Sequence, residues 1–177
     1  MAITTLTTAS ISDDAIDNTK LDLTSDYAFT GTITGAGENN TPYFVARKNG
    51  DHTGISNQTW TKITGWSELS DSDSKFDPST ARFTPTVAGK YYVSLTAWIG
   101  TQANTTQYIR IYKNSSGLDQ VGVNTGGDAN HPIHISAIAD LDTDDYLEPF
   151  VYFSGSHTRT VYSTGNEMKF SAFLIAT

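Results

Sequence analysis

Residues 71–99 read DSDSKFDPSTARFTPTVAGKYYVSLTAWI, and the last third of this stretch alternates strictly between apolar and mixed side chains. Alternation with a period of two places successive side chains on opposite faces of a β-strand. The side chains predicted to face a core are Tyr91, Val93, Leu95, Ala97 and Ile99. The opposite face carries Tyr92, Ser94, Thr96 and Trp98. Two large aromatic rings on that second face indicate that another subunit covers it.

Nine further segments of the chain have the same strand character, with β-branched and aromatic residues bounded by clusters of Gly, Asn, Asp and Ser. None shows a long periodicity of 3.6 residues. The pattern predicts an all-β fold of about ten strands, arranged as an antiparallel two-sheet sandwich or as a barrel. A jelly roll is a sandwich that accommodates this number of strands. The last segment has apolar residues on both faces, which predicts a central strand buried on both sides. The predicted strands cover residues 42–48, 59–66, 81–86, 90–99, 106–114, 119–123, 133–141, 145–153, 158–163 and 168–176.

The composition narrows the functional class. With 19 acidic and 11 basic residues the 177-residue chain has a net charge of -8, which argues against sequence-independent binding of nucleic acid. The chain contains no cysteine, which excludes disulfides, thiolate catalysis and thiolate metal sites. No segment approaches the roughly 20 apolar residues that span a bilayer, so membrane insertion is not expected.

Residues 1–41 differ in character from the rest of the chain. They are rich in Thr, Ser and Asp with isolated apolar positions, and such a segment buries little apolar surface by itself. The first residues have neither a basic region nor a continuous apolar run, so a secretory signal peptide is not expected there. We predict a stalk-like attachment segment at residues 1–41 and a globular head at residues 42–177.

The opening stretch also carries a spaced motif. Asp71, Phe76, Phe83, Gly89 and Tyr91 follow the pattern D-x4-F-x6-F-x5-G-x-Y. This pattern resembles the signature of the complement C1q globular head, a jelly roll of the tumour-necrosis-factor-like superfamily. Three other segments are similar to elements of that family in the same order: YIRIYKN, LDTDDYLEPFVY and FSAFLIAT. The resemblance implies a homotrimer of C1q-like heads, with Phe76, Phe83, Gly89 and Tyr91 as residues of the family core.

A second resemblance concerns residues 9–37. This region contains AIDNTKLDL followed by YAFTGTITG, and it is similar to linker segments that precede the tips of bacteriophage tail fibres and other virion proteins. The resemblance implies a structural protein of a virion, assembled in the host cytoplasm and exposed on the particle. Its partners would be other virion proteins, bound through residues 1–41, and a glycan or protein of the host surface.

Two other functions remain open from the sequence. One is a bacterial protein, secreted or on the cell surface, in which the same C1q-like head acts as a coat component or carbohydrate-binding module. The other is a small glycan-cleaving enzyme on this scaffold, for which Glu148 or an apical Asp would supply the carboxylate. The chain has neither a nucleophile elbow nor a phosphate-binding loop, so we predict attachment without catalysis and without a cofactor.

The acidic start of the stretch is the first candidate metal site. Asp71, Asp73 and Asp77 alternate with Ser and Lys, and carboxylates in a loop are ligands that calcium prefers. The run lacks the Gly and closing Glu of an EF-hand, and a solvated turn is the alternative interpretation. The acidic run at residues 140–145 is interpreted as a turn before a strand, since Asp side chains bond nearby backbone amides, and a metal site formed by Asp140, Asp142, Asp144 and Asp145 is the alternative. The histidines have no zinc-binding spacing.

Aromatic residues in loops suit the binding of sugars by stacking. Trp60, Trp66 and Tyr162 are the candidates. Packing in the core or between subunits is the favoured alternative for them, because the strand pattern already places most aromatic residues inward.

Overall fold

The computed structural model describes residues 42–100, 103–127, 130–163 and 167–177. These residues form thirteen strands and no helix, which confirms the predicted all-β class, and none of them forms a helix able to cross a membrane. The predicted segment at residues 1–41 lies outside the described residues, so its boundary and role stay predictions. In chain order the strands are β1 (Tyr43–Lys48), β2 (His52–Ile55), β3 (Thr61–Lys62), β4 (Trp66–Asp71), β5 (Phe76–Asp77), β6 (Arg82–Phe83), β7 (Gly89–Ile99), β8 (Thr105–Lys113), β9 (Ser116–Thr125), β10 (His131–Leu141), β11 (Leu147–Phe153), β12 (Arg159–Tyr162) and β13 (Lys169–Ala176).

Sheet A is organised around the long strand β7. Strand β10 pairs with one edge of β7 over its whole length, from Gly89 opposite Leu141 to Ile99 opposite His131. Strands β13 and β12 share the other edge of β7. Beyond them, β1 and then β4 follow β13, while β2 follows β12. All these pairings are antiparallel, and β7 is an interior strand with partners on both of its edges.

Sheet B has the order β5-β6-β11-β8-β9, and the short β3 pairs with β11 on the edge that β6 also uses. Strands β8 and β9 form a hairpin closed by Asn114 and Ser115, whose φ angles are 50° and 65°. A two-residue hairpin turn of type I′ requires positive φ at both positions, and Asn tolerates this conformation well. The turn thus sets the register of the two strands that form one end of sheet B.

The inner faces of the two sheets meet in one continuous hydrophobic core. The five β7 side chains that the sequence pattern predicted to face inward are all buried, while the alternate ones are half-buried. Phe44 of sheet A stacks on Phe76 and Phe83 of sheet B, with ring centroids 4.7 Å and 4.5 Å apart. The aromatic contacts between sheets hold the sandwich closed at this end.

Three expectations from the sequence are wrong in detail. His52–Ile55 lies outside the predicted strands but forms strand β2, and Ser67–Asp71 also lies outside them but forms most of β4. Both gain their extended conformation from pairing partners, β12 and β1 respectively. Strand β13 is central as predicted, but its second face is not buried within the chain, because Phe173 is 38% exposed.

Candidate functional site

Asp71, the first candidate calcium ligand, stands at the end of β4 and organises the following loop. Its Oδ1 accepts a hydrogen bond from the backbone N–H of Asp73 at 3.0 Å. Its Oδ2 accepts two more, from the N–H groups of Lys75 and Phe76, both at 2.6 Å. The carboxylate therefore satisfies three backbone donors and fixes the point at which Phe76 enters the core.

The other two candidate ligands have separate local partners. Asp73 accepts a hydrogen bond from the hydroxyl of Thr86, and this bond lowers the pKa of Asp73. Asp77 accepts bonds from the Ser79 hydroxyl at 2.6 Å and the Thr80 hydroxyl at 2.8 Å. These hydroxyls, Ser79 first, lower the pKa of Asp77 to about 2. Both carboxylates are thus stabilised in their ionised forms by neighbouring donors.

Within the described parts of the chain, no group of three or more His, Cys, Asp or Glu side chains is placed to hold a metal ion. The hydrogen bonds of Asp71, Asp73 and Asp77 are those of carboxylates that stabilise turns, so they account for the position of each side chain. Calcium binding by these residues stays a prediction from the sequence, and a calcium titration followed by melting temperature is the measurement for it.

The residues of the family motif lie together in the core. Phe76, Phe83 and Tyr91 are buried, and the rings of Phe83 and Tyr91 are 5.9 Å apart. The hydroxyl of Tyr91 donates to the backbone carbonyl of Val87 at 2.7 Å, and burial raises the pKa of Tyr91 to about 12. A Cβ at Gly89 would stand 2.4 Å from the carbonyl oxygen of Ala176. Glycine is required there because strand β13 passes too close for any side chain.

The turn between β10 and β11 is built around Asp145. Its carboxylate accepts the backbone N–H of Asp142 at 2.7 Å and a bond from the side-chain amide of Asn114, and it forms an ion pair with Lys113 at 2.8 Å. Burial opposes ionisation of Asp145, but these donors outweigh it and lower its pKa. The interpretation of this acidic run as a turn before a strand is confirmed.

The Asp145 turn gives a prediction on pH. A carboxyl with a lowered folded-state pKa contributes stability above its unfolded pKa of about 3.9, and this contribution is lost as pH falls through the folded pKa. We expect Asp145→Asn to lower the free energy of unfolding by about 2 kcal/mol at pH 7, and by progressively less below pH 4. Urea denaturation at pH 7 and pH 3 measures both values. Asp144→Asn, at an exposed neighbour, is the control, and an Asp145→Asn effect that does not change with pH would contradict the account.

Glu148, the candidate carboxylate for a glycan-cleaving enzyme, is buried and paired with two cations. Its Oε1 accepts hydrogen bonds from Lys62 at 2.6 Å and from Arg82 at 2.8 Å. The guanidinium carbon of Arg82 lies 3.7 Å from the centroid of the Tyr146 ring. A carboxylate held in this way joins β3, β6 and β11 and is not presented to a substrate.

The outer face of sheet A, turned away from the core, carries a band of apolar side chains. Tyr43, Tyr92, Ile138 and Phe173 stand opposite one another in register across β1, β13, β7 and β10, and Ile175 lies beside them on β13; we call these five residues the apolar row. The rings of Tyr92 and Phe173 are 5.2 Å apart. Ile138 is 62% exposed and Phe173 is 38% exposed, and contiguous exposed apolar side chains are typical of interaction surfaces.

The three candidate sugar-stacking residues lie in different surroundings. Trp66 is buried and its indole N–H donates to the carbonyl of Ile63 at 2.7 Å, so packing is the correct interpretation for it. Tyr162 pairs across strands with Trp98 in sheet A. Trp60 instead lies on the outer face of sheet B, with the guanidinium carbon of Arg110 4.1 Å from its ring centroid. The sequence reasoning missed Arg110 as a partner of Trp60.

No protein-family model and no curated protein matches the chain in sequence. Solved structures do match its fold. An Eiger TNF structure from S. frugiperda has a TM-score of 0.57 at 13% identity, covering 76% of this chain and 94% of that chain. The globular domain of zebrafish complement 1qA has a TM-score of 0.53 at 18% identity, covering 76% and 97%. Murine APRIL has a TM-score of 0.57 at 9% identity, covering 76% and 98%. The described part of the chain thus has a TNF- and C1q-like jelly-roll fold, as the resemblance of its motif predicted.

Proposed function

We propose that the chain is the head of a trimeric virion appendage, of the bacteriophage tail-fibre kind, which attaches the particle to a host surface without catalysis. The observation that carries the proposal is the apolar row on the outer face of sheet A. A surface of this kind is stable in water when copies of the chain cover it for one another. The resemblance to C1q heads supports the same threefold assembly.

The viral setting is supported by the similarity of residues 9–37 to tail-fibre linkers. In this proposal residues 1–41 join the head to the rest of the particle. Calcium is an optional addition, which Asp71, Asp73 and Asp77 would ligate. Three linked heads raise the effective concentration for the second and third contacts, so weak single contacts suffice for attachment.

Adsorption of particles tests this function. We expect antibodies against the full chain to label the appendages of purified particles in electron micrographs. We also expect the free wild-type protein to slow adsorption of the particles to their host. A monomeric variant is expected to need a concentration about 100-fold higher for the same effect, because it lacks multivalency. The viral proposal would be contradicted if the antibodies did not label the particles and the chain were found in the cell envelope of a bacterium. That result would favour a bacterial coat protein.

A further inference from the structure

A shallow depression of about 350 Å³ lies on the outer face of sheet B. It belongs to the sheet that does not carry the apolar row, so an assembly through sheet A leaves it accessible. Its lining comes from three strands of the sheet and from the residue that precedes β3. The lining residues are Trp60, Tyr108, Arg110, Gln120 and Tyr152.

Three aromatic rings form the wall of the depression. The centroid of the Trp60 ring lies 5.4 Å from that of Tyr152 and 6.3 Å from that of Tyr108, and the rings of Tyr108 and Tyr152 are 5.9 Å apart. All three side chains are half-buried, so parts of the rings face solvent. The face of an aromatic ring carries partial negative charge and attracts C–H groups with partial positive charge, such as those on the apolar face of a pyranose.

Planar polar groups lie beside this wall. The guanidinium of Arg110 donates to the hydroxyl of Tyr112 at 3.4 Å and to the side-chain carbonyl of Gln120. In the described part of the chain no Asp or Glu forms an ion pair with Arg110. A guanidinium has five N–H donors, so Arg110 retains donors for a ligand. Together with the exposed amide of Gln120, it can bond neighbouring hydroxyls of a sugar.

Two glycines of β9 leave room for these side chains. A Cβ at Gly122 would stand 2.4 Å from the Tyr108 ring, and a Cβ at Gly117 would stand 2.9 Å from Cδ of Arg110. Tyr108 and Arg110 therefore lie across the neighbouring strand, in the space that the two glycines leave. Glycine inside a strand weakens the strand and marks a close approach of another group.

From this geometry we infer that the outer face of sheet B holds a binding site for a neutral saccharide, in which Trp60, Tyr108 and Tyr152 stack on a pyranose and Arg110 and Gln120 bond its hydroxyls. The inference deepens the proposed attachment function and rests on it. A volume of about 350 Å³ lies near the lower limit of the roughly 300–1,000 Å³ usual for small ligands, which suits one or two sugar rings. The net charge of -8 disfavours an acidic polysaccharide at low salt.

The test uses the full chain and isothermal calorimetry. The probes are soluble neutral oligosaccharides built from hexoses and N-acetylhexosamines, with uronic-acid oligosaccharides as a second set. We expect at least one neutral probe to bind. Gln120→Ala is expected to weaken the affinity for that probe about tenfold, because one or two hydrogen bonds are lost. Trp60→Leu is expected to weaken the affinity further. Asn124→Ala, at an exposed position of the same strand, is the matched control and should bind like the wild type.

Three outcomes would overturn this site. They are no binding of any neutral probe, binding by acidic probes only, and equal affinities for Gln120→Ala, Trp60→Leu and Asn124→Ala. Gln120 is exposed, so its substitution tests the site even where the Trp60 variant does not fold. A monovalent probe binds independently of trimer formation, so these outcomes separate a failure of the site from a failure of the attachment function, which particle labelling tests.

Discussion

Replacing Phe173 with Glu is expected to convert the proposed trimer into a folded monomer of 19.2 kDa. Phe173 lies in the middle of the apolar row, next to Tyr92 on one side and Tyr43 on the other. A trimer would bury three unpaired carboxylates at this surface, and each costs several kcal/mol when it leaves water. The single chain tolerates the change because Phe173 is already 38% exposed. Light scattering gives the mass, and circular dichroism shows whether the fold remains.

The matched control for Phe173→Glu is Val87→Glu. Val87 is also apolar and 36% exposed, but it precedes β7 and lies outside the strands of sheet A. The same introduced charge should therefore leave the assembly intact. A Phe173→Glu protein that keeps the mass of the wild type, or a Val87→Glu protein that dissociates equally, would show that association does not use the apolar row.

The second large effect concerns the core. We expect Phe44→Ala to lower the free energy of unfolding by about 3–5 kcal/mol. The Phe44 ring contacts Phe76 and Phe83 of sheet B, and its centroid lies 5.0 Å from that of Phe170 in sheet A. Its removal opens a cavity at the contact between the sheets, and the rigid strands around it relax only in part.

Urea denaturation measures this effect. The wild type and the variants are compared at the same protein concentration, because association of the chains also adds to the apparent stability. Phe44→Leu is the control, since it keeps most of the volume and should lose about half as much. A loss below about 1 kcal/mol for Phe44→Ala would contradict the central place of this ring in the core.

The alternation of residues 91–99 predicted strand β7 and its buried face correctly. A period of two is a local property of the chain, and a strand buried on one face requires it. The resemblance of the full motif to C1q heads likewise predicted the fold, and a physical reason for its D-x4-F spacing is now visible. The carboxylate of Asp71 bonds the N–H of Phe76, so the spacing fixes where the first ring of the motif enters the core.

Strands β2 and β4 were not predictable from their own residues. His52–Ile55 contains Gly54 with a φ of 70°, and Trp66–Asp71 is mostly polar, so neither has a strand pattern. Pairing with other strands decides their conformation, and such context overrides local preference. Edge position explains the polar composition of β4, which has a partner on one side only.

The two candidate surfaces were predictable to different degrees. The large side chains Tyr92 and Trp98 on the second face of β7 indicated a surface that needs a cover, and the apolar row lies on that face. The depression on sheet B was not predictable, because Trp60 and Arg110 are far apart in the chain. Only the pairing of β3 with β11, and of β11 with β8, brings them together.

The two sheets therefore serve different purposes in this account. In the proposed function the outer face of sheet A associates with other copies of the chain, and the aromatic depression on the outer face of sheet B contacts the host surface. Both faces are built from the alternate side chains of strands whose other side chains form the core. A substitution on one outer face should thus alter association or recognition separately, with little effect on the fold.

The mass of the 177-residue wild-type chain in solution tests the threefold assembly most directly. Multi-angle light scattering over a range of micromolar concentrations should give about 58 kDa, three times the chain mass of 19.2 kDa. A mass that stays at 19.2 kDa throughout that range would contradict the trimer and, with it, the role assigned to the apolar row.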